Sequence, residues 1–295
     1  MTDSAGLSLV PAVESAPVEE QAVMKRVTLS SGAGLRRLVI GVVVVYLGIV
    51  LIAPIGALLV SAWQIGVPAL ANAIGAPEAS STLIVSLILA ACGLLINGLF
   101  GLATAMVLVR DRYVLGKPIR LLLDVSLAIS PIMAGLALLL LYGRGGWFEG
   151  ISLFGLRVPF AFPGLVLATL FVTLPYVPAE VSHMLREVGT EEESAASTLG
   201  ASAWRTFRRI TLPNVRSGLV VGGILTVTRA LGEFGAVIVI GGAISAKTQT
   251  ATTYIYGAVE ERQRAGAVGM ALVLASVSII ALAVVEILKR TARSK

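Results

Sequence analysis

REVGTEEESAASTLGASAWRTFRRITLPNVR, residues 186–216, is the one long polar, helix-forming segment in an otherwise apolar chain. Its reading decides how the rest is organised. Thr190 stands three residues before Glu193, the spacing of a capping box, and Glu191, Glu192 and Glu193 put negative charge at the positive end of a helix dipole. This predicts a helix starting at Thr190. Ala195, Ala196 and Leu199 form one small apolar face, and Gly200 can take the left-handed conformation that ends a helix. Ser202 can cap a second short helix, with Trp204, Phe207 and Ile210 at three-residue spacing and Arg205, Arg208 and Arg209 opposite them. Pro213 is expected to stop it. The product is an elbow of two helices around a glycine, too polar to enter lipid and too apolar for a plain linker.

The chain around this elbow is built for a bilayer. Of its 295 residues 56% are hydrophobic and 14% charged, with a mean hydropathy of +0.91, far outside soluble-domain averages. Apolar runs at about 38–62, 83–109, 121–142, 160–184, 217–242 and 266–288 are each long enough to cross. The expectation is an all-α polytopic membrane protein with six transmembrane helices. Pro131 should kink the third span, and Pro163, Pro175 and Pro178 should bend or interrupt the fourth. Residues 63–81, with Gly66, Pro68, Asn72, Gly75 and Pro77, read as an outer loop. The glycine-rich stretch 143–159, with Trp147, Phe148 and Phe154, suits a membrane interface, and 243–265 reads as polar with a short helix over 252–264. Residues 1–34 hold no apolar run of signal-peptide type and read as a disordered cytosolic tail before a transmembrane domain over 35–295. A single cysteine, Cys92, allows no internal disulfide, and the lone His183 has no second ligand near it, so no metal is expected.

Basic residues orient the spans. Lys25, Arg26, Arg36, Arg37, Arg110, Arg112, Lys117, Arg120, Arg186, Arg205, Arg208, Arg209, Arg216, Lys289, Arg290, Arg293 and Lys295 all fall on one side. The other side has only Arg144, Arg157, Lys247, Arg262 and Arg264. Seventeen against five places both termini and the elbow in the cytoplasm. The net charge of +6 is thus spent at membrane edges, and no nucleic-acid partner is expected.

One basic residue lies inside a span. Arg229 is about 16 Å beyond Gly218 at helical rise, near the middle of a roughly 30 Å hydrocarbon layer. Facing lipid there would cost about 2.5–3.5 kcal/mol, and Glu233, four residues on, shares its helix face. Thr226, Gly222 and Gly218 share much of that face and allow close helix approach. With Ser130 beside the Pro131 kink, Arg229, Glu233 and Thr226 are candidates either for a translocation path or for locking helices together.

Residues 194–213 resemble the EAA loop of ATP-binding-cassette importer permeases. Ala195, Ala196, Gly200, Ile210, Leu212 and Pro213 stand at the motif's spacing, while its leading glutamate aligns with Ser194, one residue after Glu193. The string RALGEFGA at 229–236, with the VIGG and KTQT segments that follow, resembles the sulfate, molybdate and tungstate permease group. Over about 35–290 the chain is most similar to the CysW-type sulfate/thiosulfate permease family.

The resemblance implies a type I importer (MetI-like) permease fold and uptake of sulfate or thiosulfate, with molybdate or tungstate as the alternative. Glu193, Ala195, Ala196, Gly200, Ile210, Leu212 and Pro213 would then couple the spans to two copies of a cytosolic ATP-binding subunit. A second, homologous permease subunit and a periplasmic or lipid-anchored binding protein would complete the assembly in a bacterial inner membrane. No cofactor is implied for this chain, because ATP belongs to the partner. An ATP-independent channel or secondary transporter would leave the long cytosolic elbow without a role. An intramembrane enzyme would need a catalytic constellation, and no HExxH or paired-aspartate pattern occurs.

Overall fold

A computed structural model describes residues 33–110, 116–153 and 155–293 of the chain. The tail expected over 1–34 lies outside these except for its last two residues, as do Asp111, Arg112, Phe154 and Lys295. The chain divides into two units, Met1–Ala57 and Leu58–Lys295.

In the first unit, α1 (Ala33–Leu47) passes through a widened π turn, Gly48–Ile52, into α2 (Ala53–Ile65), which ends in the second unit. The widened turn has a local cause. Pro54 has no N–H to give and its ring would press on the carbonyl one turn back, and the turn just before it lengthens so that Ala53 N–H bonds Gly48 O instead. The helix therefore continues across a proline without breaking. Its side chains from Leu38 to Leu59 are largely exposed, as an apolar helix facing lipid would be.

Among its described residues the second unit is mostly helical, with one small hairpin. Residues 63–81 are a correction to the expected loop. Gly66, at φ +83°, breaks the chain, Pro68 then opens α3 (Val67–Gly75), and Pro77 opens α4 (Pro77–Arg110). The third span is more than kinked. α5 (Gly116–Ala128) and α6 (Pro131–Tyr142) meet at 109°, because Pro131 starts a new helix in place of bending the old one. Strands β1 (Ser152–Leu153) and β2 (Leu156–Arg157) pair antiparallel. The fourth span is α7 (Phe162–Thr173) followed by α8 (Tyr176–Val188). Then come α9 (Glu191–Thr198), α10 (Ala203–Thr206), a π turn at Phe207–Thr211, α11 (Leu212–Leu231), α12 (Gly235–Gly241), α13 (Ala251–Glu260) and α14 (Arg264–Arg293).

Among the described residues five helices are long and apolar enough to cross a bilayer, and the bent α5/α6 pair makes a sixth if it counts as one span. The fifth differs from its expected extent of 217–242. The continuous helix is Ala203–Leu231, 29 residues or roughly 43 Å, so its first turns extend beyond a roughly 30 Å hydrocarbon layer.

The core forms where α4, α8 and α11 meet. Ala105, Val177, Val181, Leu185 and Val215 are fully or almost fully buried there. Small residues set the spacing. A Cβ added at Gly101 would lie 2.7 Å from Val177 Cβ, and one at Gly222 would lie 2.9 Å from Val177 Cα. A second cluster packs α7 and α12 with Leu89, Leu165, Ala168, Val237 and Ile240. Part of the contact between α4 and α7 is polar. Asn97 Nδ2 donates to Thr173 Oγ1 at 2.8 Å and to Leu170 O at 3.0 Å.

The α6–α12 crossing is closer still, since a Cβ at Gly135 would sit 2.6 Å from Ala236 O and 2.9 Å from Ala236 Cα. Gly135→Ala is expected to lower stability by about 1–3 kcal/mol, because backbone cannot retreat as a flexible side chain can. Gly98→Ala, where the added methyl meets nothing within 4 Å, should be neutral or slightly stabilising. Thermal unfolding of the two variants in one detergent checks the contrast.

Candidate functional site

Helix α9 starts after Thr190, but the capping box does not form: the Thr190 side chain makes no cap hydrogen bond. The other half of the box is lost at Glu193. Its Oε1 accepts from Arg110 Nη2 at 3.1 Å and from Thr211 Oγ1 at 2.8 Å, so the carboxylate is drawn away from the helix start toward stronger, charge-assisted partners. Arg110 Nη2 also donates to Gly189 O at 2.6 Å. Beside this knot, Asn214 Nδ2 donates to Glu192 Oε2 at 2.8 Å. These contacts tie α9 to the last turn of α4 and to the first turns of α11.

The far end of α9 closes in a Schellman motif. Ala201 N–H bonds Ala196 O, Gly200 N–H bonds Ser197 O, and Gly200 sits at φ +79°. Ser202 Oγ accepts from Arg205 N–H at 3.4 Å and caps α10. Pro213 does not stop the second helix. The π turn Phe207–Thr211 shifts the bonding by one residue, Leu212 N–H reaches Phe207 O, and Pro213 falls at the start of α11, where its missing N–H costs nothing. Ile210 lies in that turn, and Leu212 and Pro213 open α11. Ala195 is exposed and Ala196 half-buried. Leu199 and Trp204 are 88% and 67% exposed, and Trp204 stacks on Phe207 at 5.6 Å. A row of apolar tips therefore faces outward beside Arg205, Arg208 and Arg209.

The charged pair sits at a second junction. Helix α11 ends at Leu231, the chain breaks over 232–234, and α12 begins at Gly235. Arg229 Nη1 lies 2.6 Å from Glu233 Oε2, and the Glu233 side chain is 1% exposed against 30% for Arg229. Glu233 Oε2 has no hydrogen-bond partner among the described residues, and its tie to Arg229 is an ionic contact. The other oxygen, Oε1, accepts from Ala236 N–H at 2.8 Å in the first turn of α12. Thr252 Oγ1 donates to the Glu233 backbone carbonyl. Glu233 thus joins α11, α12 and α13, and Arg229 supplies the charge that lets it stay buried.

The remaining candidates separate. Thr226 is fully buried, with its methyl 3.6 Å from the position of a Cβ on Gly93, and belongs to the α4–α11 packing. Ser130 is exposed at the α5/α6 break and makes no cap bond. That break adjoins the α11/α12 break, since Gly235 approaches Pro131 and Ile132. His183 lies 3.5 Å from Glu187 on an exposed helix face, and no group of metal-ligating side chains occurs among the described residues. Arg110, Thr211, Asn214 and Thr252 were not singled out by the sequence. The Arg110–Glu193 contact spans 83 residues, and no local periodicity signals such a pairing.

Long apolar helices, one bent pair among them, with the Arg229–Glu233 ion pair at a helix break and a polar elbow, describe a multi-span membrane protein. The chain belongs to the family described as the inner membrane component of binding-protein-dependent transport systems, which matches residues 97–294. It is 39% identical over 269 residues to the sulfate transport system permease protein CysW of Synechocystis sp., covering 90% of this chain and 97% of that one. It is 32% identical over 253 residues to the CysT permease of the same organism, covering 85% and 88%. The crystal structure of a bacterial alginate ABC transporter, in complex with an alginate pentasaccharide-bound periplasmic protein, shares the fold. The TM-score is 0.70 at 16% identity, over 88% of this chain and 94% of that one. The protein is therefore a multi-pass inner-membrane permease.

Arg229→Met would leave Glu233 charged and buried, at an expected cost of about 3 kcal/mol. Adding Glu233→Gln should recover most of it, because the amide oxygen still serves Ala236 N–H while the charge is gone. Unfolding midpoints of the single and double variants test this. Equal destabilisation in both would show that the ion pair does not hold the junction.

Proposed function

We propose that this chain is the permease subunit of an ATP-driven importer that carries sulfate, and thiosulfate with it, into a bacterial cell. The observation that carries the reading is the 39% identity, over nearly all of both chains, to a protein named as a sulfate transport permease. Two different permeases of that name group, CysW and CysT, occur in one organism and both align with this chain. That favours a heterodimer with a homologous second subunit. Two cytosolic ATP-binding subunits would dock on the elbows, and a binding protein would deliver the anion from outside. ATP and its hydrolysis belong to those subunits, and this chain needs no cofactor.

The bias of basic residues supports a cytoplasmic elbow and cytoplasmic termini. There the exposed Leu199 and Trp204 and the basic flank offer a partner an apolar anchor with a charged rim, the arrangement typical of strong interface contacts. Ala195, Ala196 and Gly200 keep α9 slim enough to enter a cleft. Ile210, Leu212 and Pro213 lie where α10 runs through the π turn into α11, one continuous helix over Ala203–Leu231, so a push passed from α9 to α10 is a push on a helix running to the Glu233 junction. Arg229, already bound to Glu233, keeps little net attraction for an anion and serves to lock the helices.

Cells lacking this chain should lose uptake of labelled sulfate, and a tenfold excess of molybdate in wild-type cells should leave uptake unchanged. Uptake that survives the deletion, or that molybdate abolishes, would overturn the assignment of the anion.

A further inference from the structure

Helix α9 has little apolar anchorage, with Ala196 its one half-buried apolar side chain. None of its residues is buried, and eight residues are too few for a helix to be stable alone in water. It hangs between two glycines with positive φ, Gly189 at +72° and Gly200 at +79°. A Cβ at either would meet nothing within 4 Å, so neither joint is braced by packing. What fixes the helix at its leading end is the polar knot around Glu193.

The centre of that knot is Arg110, the last residue of α4. One nitrogen, Nη2, serves both Gly189 O and Glu193 Oε1, at 2.6 and 3.1 Å. Its Nε is buried with no hydrogen-bond partner among the described residues, so the guanidinium has been drawn out of water at a cost that these two contacts must offset. Both charged side chains are largely shielded, at 18% and 22% exposure, which makes their pairing stronger than that of a surface pair. Thr211, 3% exposed, closes the knot from the π turn that leads into α11.

We propose that Arg110 is a positioning residue for energy coupling. By pinning Gly189 and Glu193 to the end of α4 it turns a hinged helix into a rigid lever, so that force on the elbow moves α4 and α11 together and is not lost in swivelling of α9. Glu193, one residue before the motif's acidic position, works through this intramolecular tie and not through the docking partner. The inference rests on the coupling role proposed for the elbow.

The test uses the complete transporter, both permeases with their ATP-binding subunits and binding protein, in proteoliposomes. ATP hydrolysis and labelled sulfate uptake are measured together. In Arg110→Gln and Glu193→Gln the ATP consumed per sulfate should rise about tenfold, while the hydrolysis rate stays within about twofold of wild type. Arg110→Lys, which keeps the charge, should stay within about threefold of the wild-type ratio. A merely structural residue would lower the amount of assembled complex and leave the ratio of what assembles unchanged, and that outcome overturns the proposal. If Arg110→Gln does not assemble, Glu193→Gln and Thr211→Val decide, since each loosens the knot without altering α4, and wild-type ratios in both overturn it. Leu199→Asp, on the exposed tip of the elbow, separates the two levels. An unchanged ratio in Leu199→Asp as well as in the knot variants defeats the coupling role itself, whereas a raised ratio in Leu199→Asp alone defeats only the part given to Arg110.

Discussion

Lipid is as apolar as leucine, so helices in a bilayer gain little from burying oily side chains against one another and must be held by close contact and by polar ties. That constraint explains where the small residues of this chain are. Gly101 and Gly222 let α4 and α11 press against Val177 on α8, and Gly135 lets α6 lie on the backbone of α12. Large apolar side chains such as Leu95, Leu99 and Leu282 are left outside, 71%, 69% and 68% exposed, where a soluble protein would hide them. Polar residues inside the same contacts, Asn97 with Thr173 and Ser86 with the Ala251 N–H, add hydrogen bonds where no water competes.

Two helix breaks, α5/α6 and α11/α12, give this packing its direction. A continuous helix satisfies its own backbone, and a broken one must find partners at the break. The α11/α12 break finds them in Glu233, whose carboxylate meets Ala236 N–H and the Arg229 guanidinium and whose carbonyl meets Thr252. The α5/α6 break lies alongside, close-packed through Gly235. A shift of α11 along its axis is therefore felt at a junction of three elements, and the same helix begins in the polar elbow. One continuous helix, Ala203–Leu231, thus links the elbow to the Glu233 junction.

Much of this could be read from residue order. The apolar runs led to a multi-span helical membrane protein and the Arg229–Glu233 spacing to an ion pair, while the permease reading came from the resemblance of residues 194–213 and 229–236 to a known family. The glycine at 200 and the cap at 202 marked the elbow's joint, because those signals are local. The misreadings arose where a tertiary partner or a proline had two possible outcomes. Thr190 and Glu193 have capping-box spacing, yet Arg110 and Thr211 compete for the carboxylate and win. Pro213 could stop a helix or open one, and the π turn before it, matched by the one before Pro54, decided for continuation. Residues 63–81 carry loop-forming glycines and prolines, but Pro68 and Pro77 sit at first turns, where proline favours a helix.

The elbow works as a lever only if it lies on the face where ATP is. The chain has a single cysteine, Cys92, so Cys92→Ser allows one thiol to be placed at Leu199, the exposed tip of the elbow. Labelling of Leu199→Cys with a membrane-impermeant maleimide in spheroplasts, before and after lysis, is the most direct measurement. Reaction only after lysis is the expected result. Reaction in intact spheroplasts would place the elbow on the outer face, out of reach of any cytosolic motor, and would contradict the mechanism.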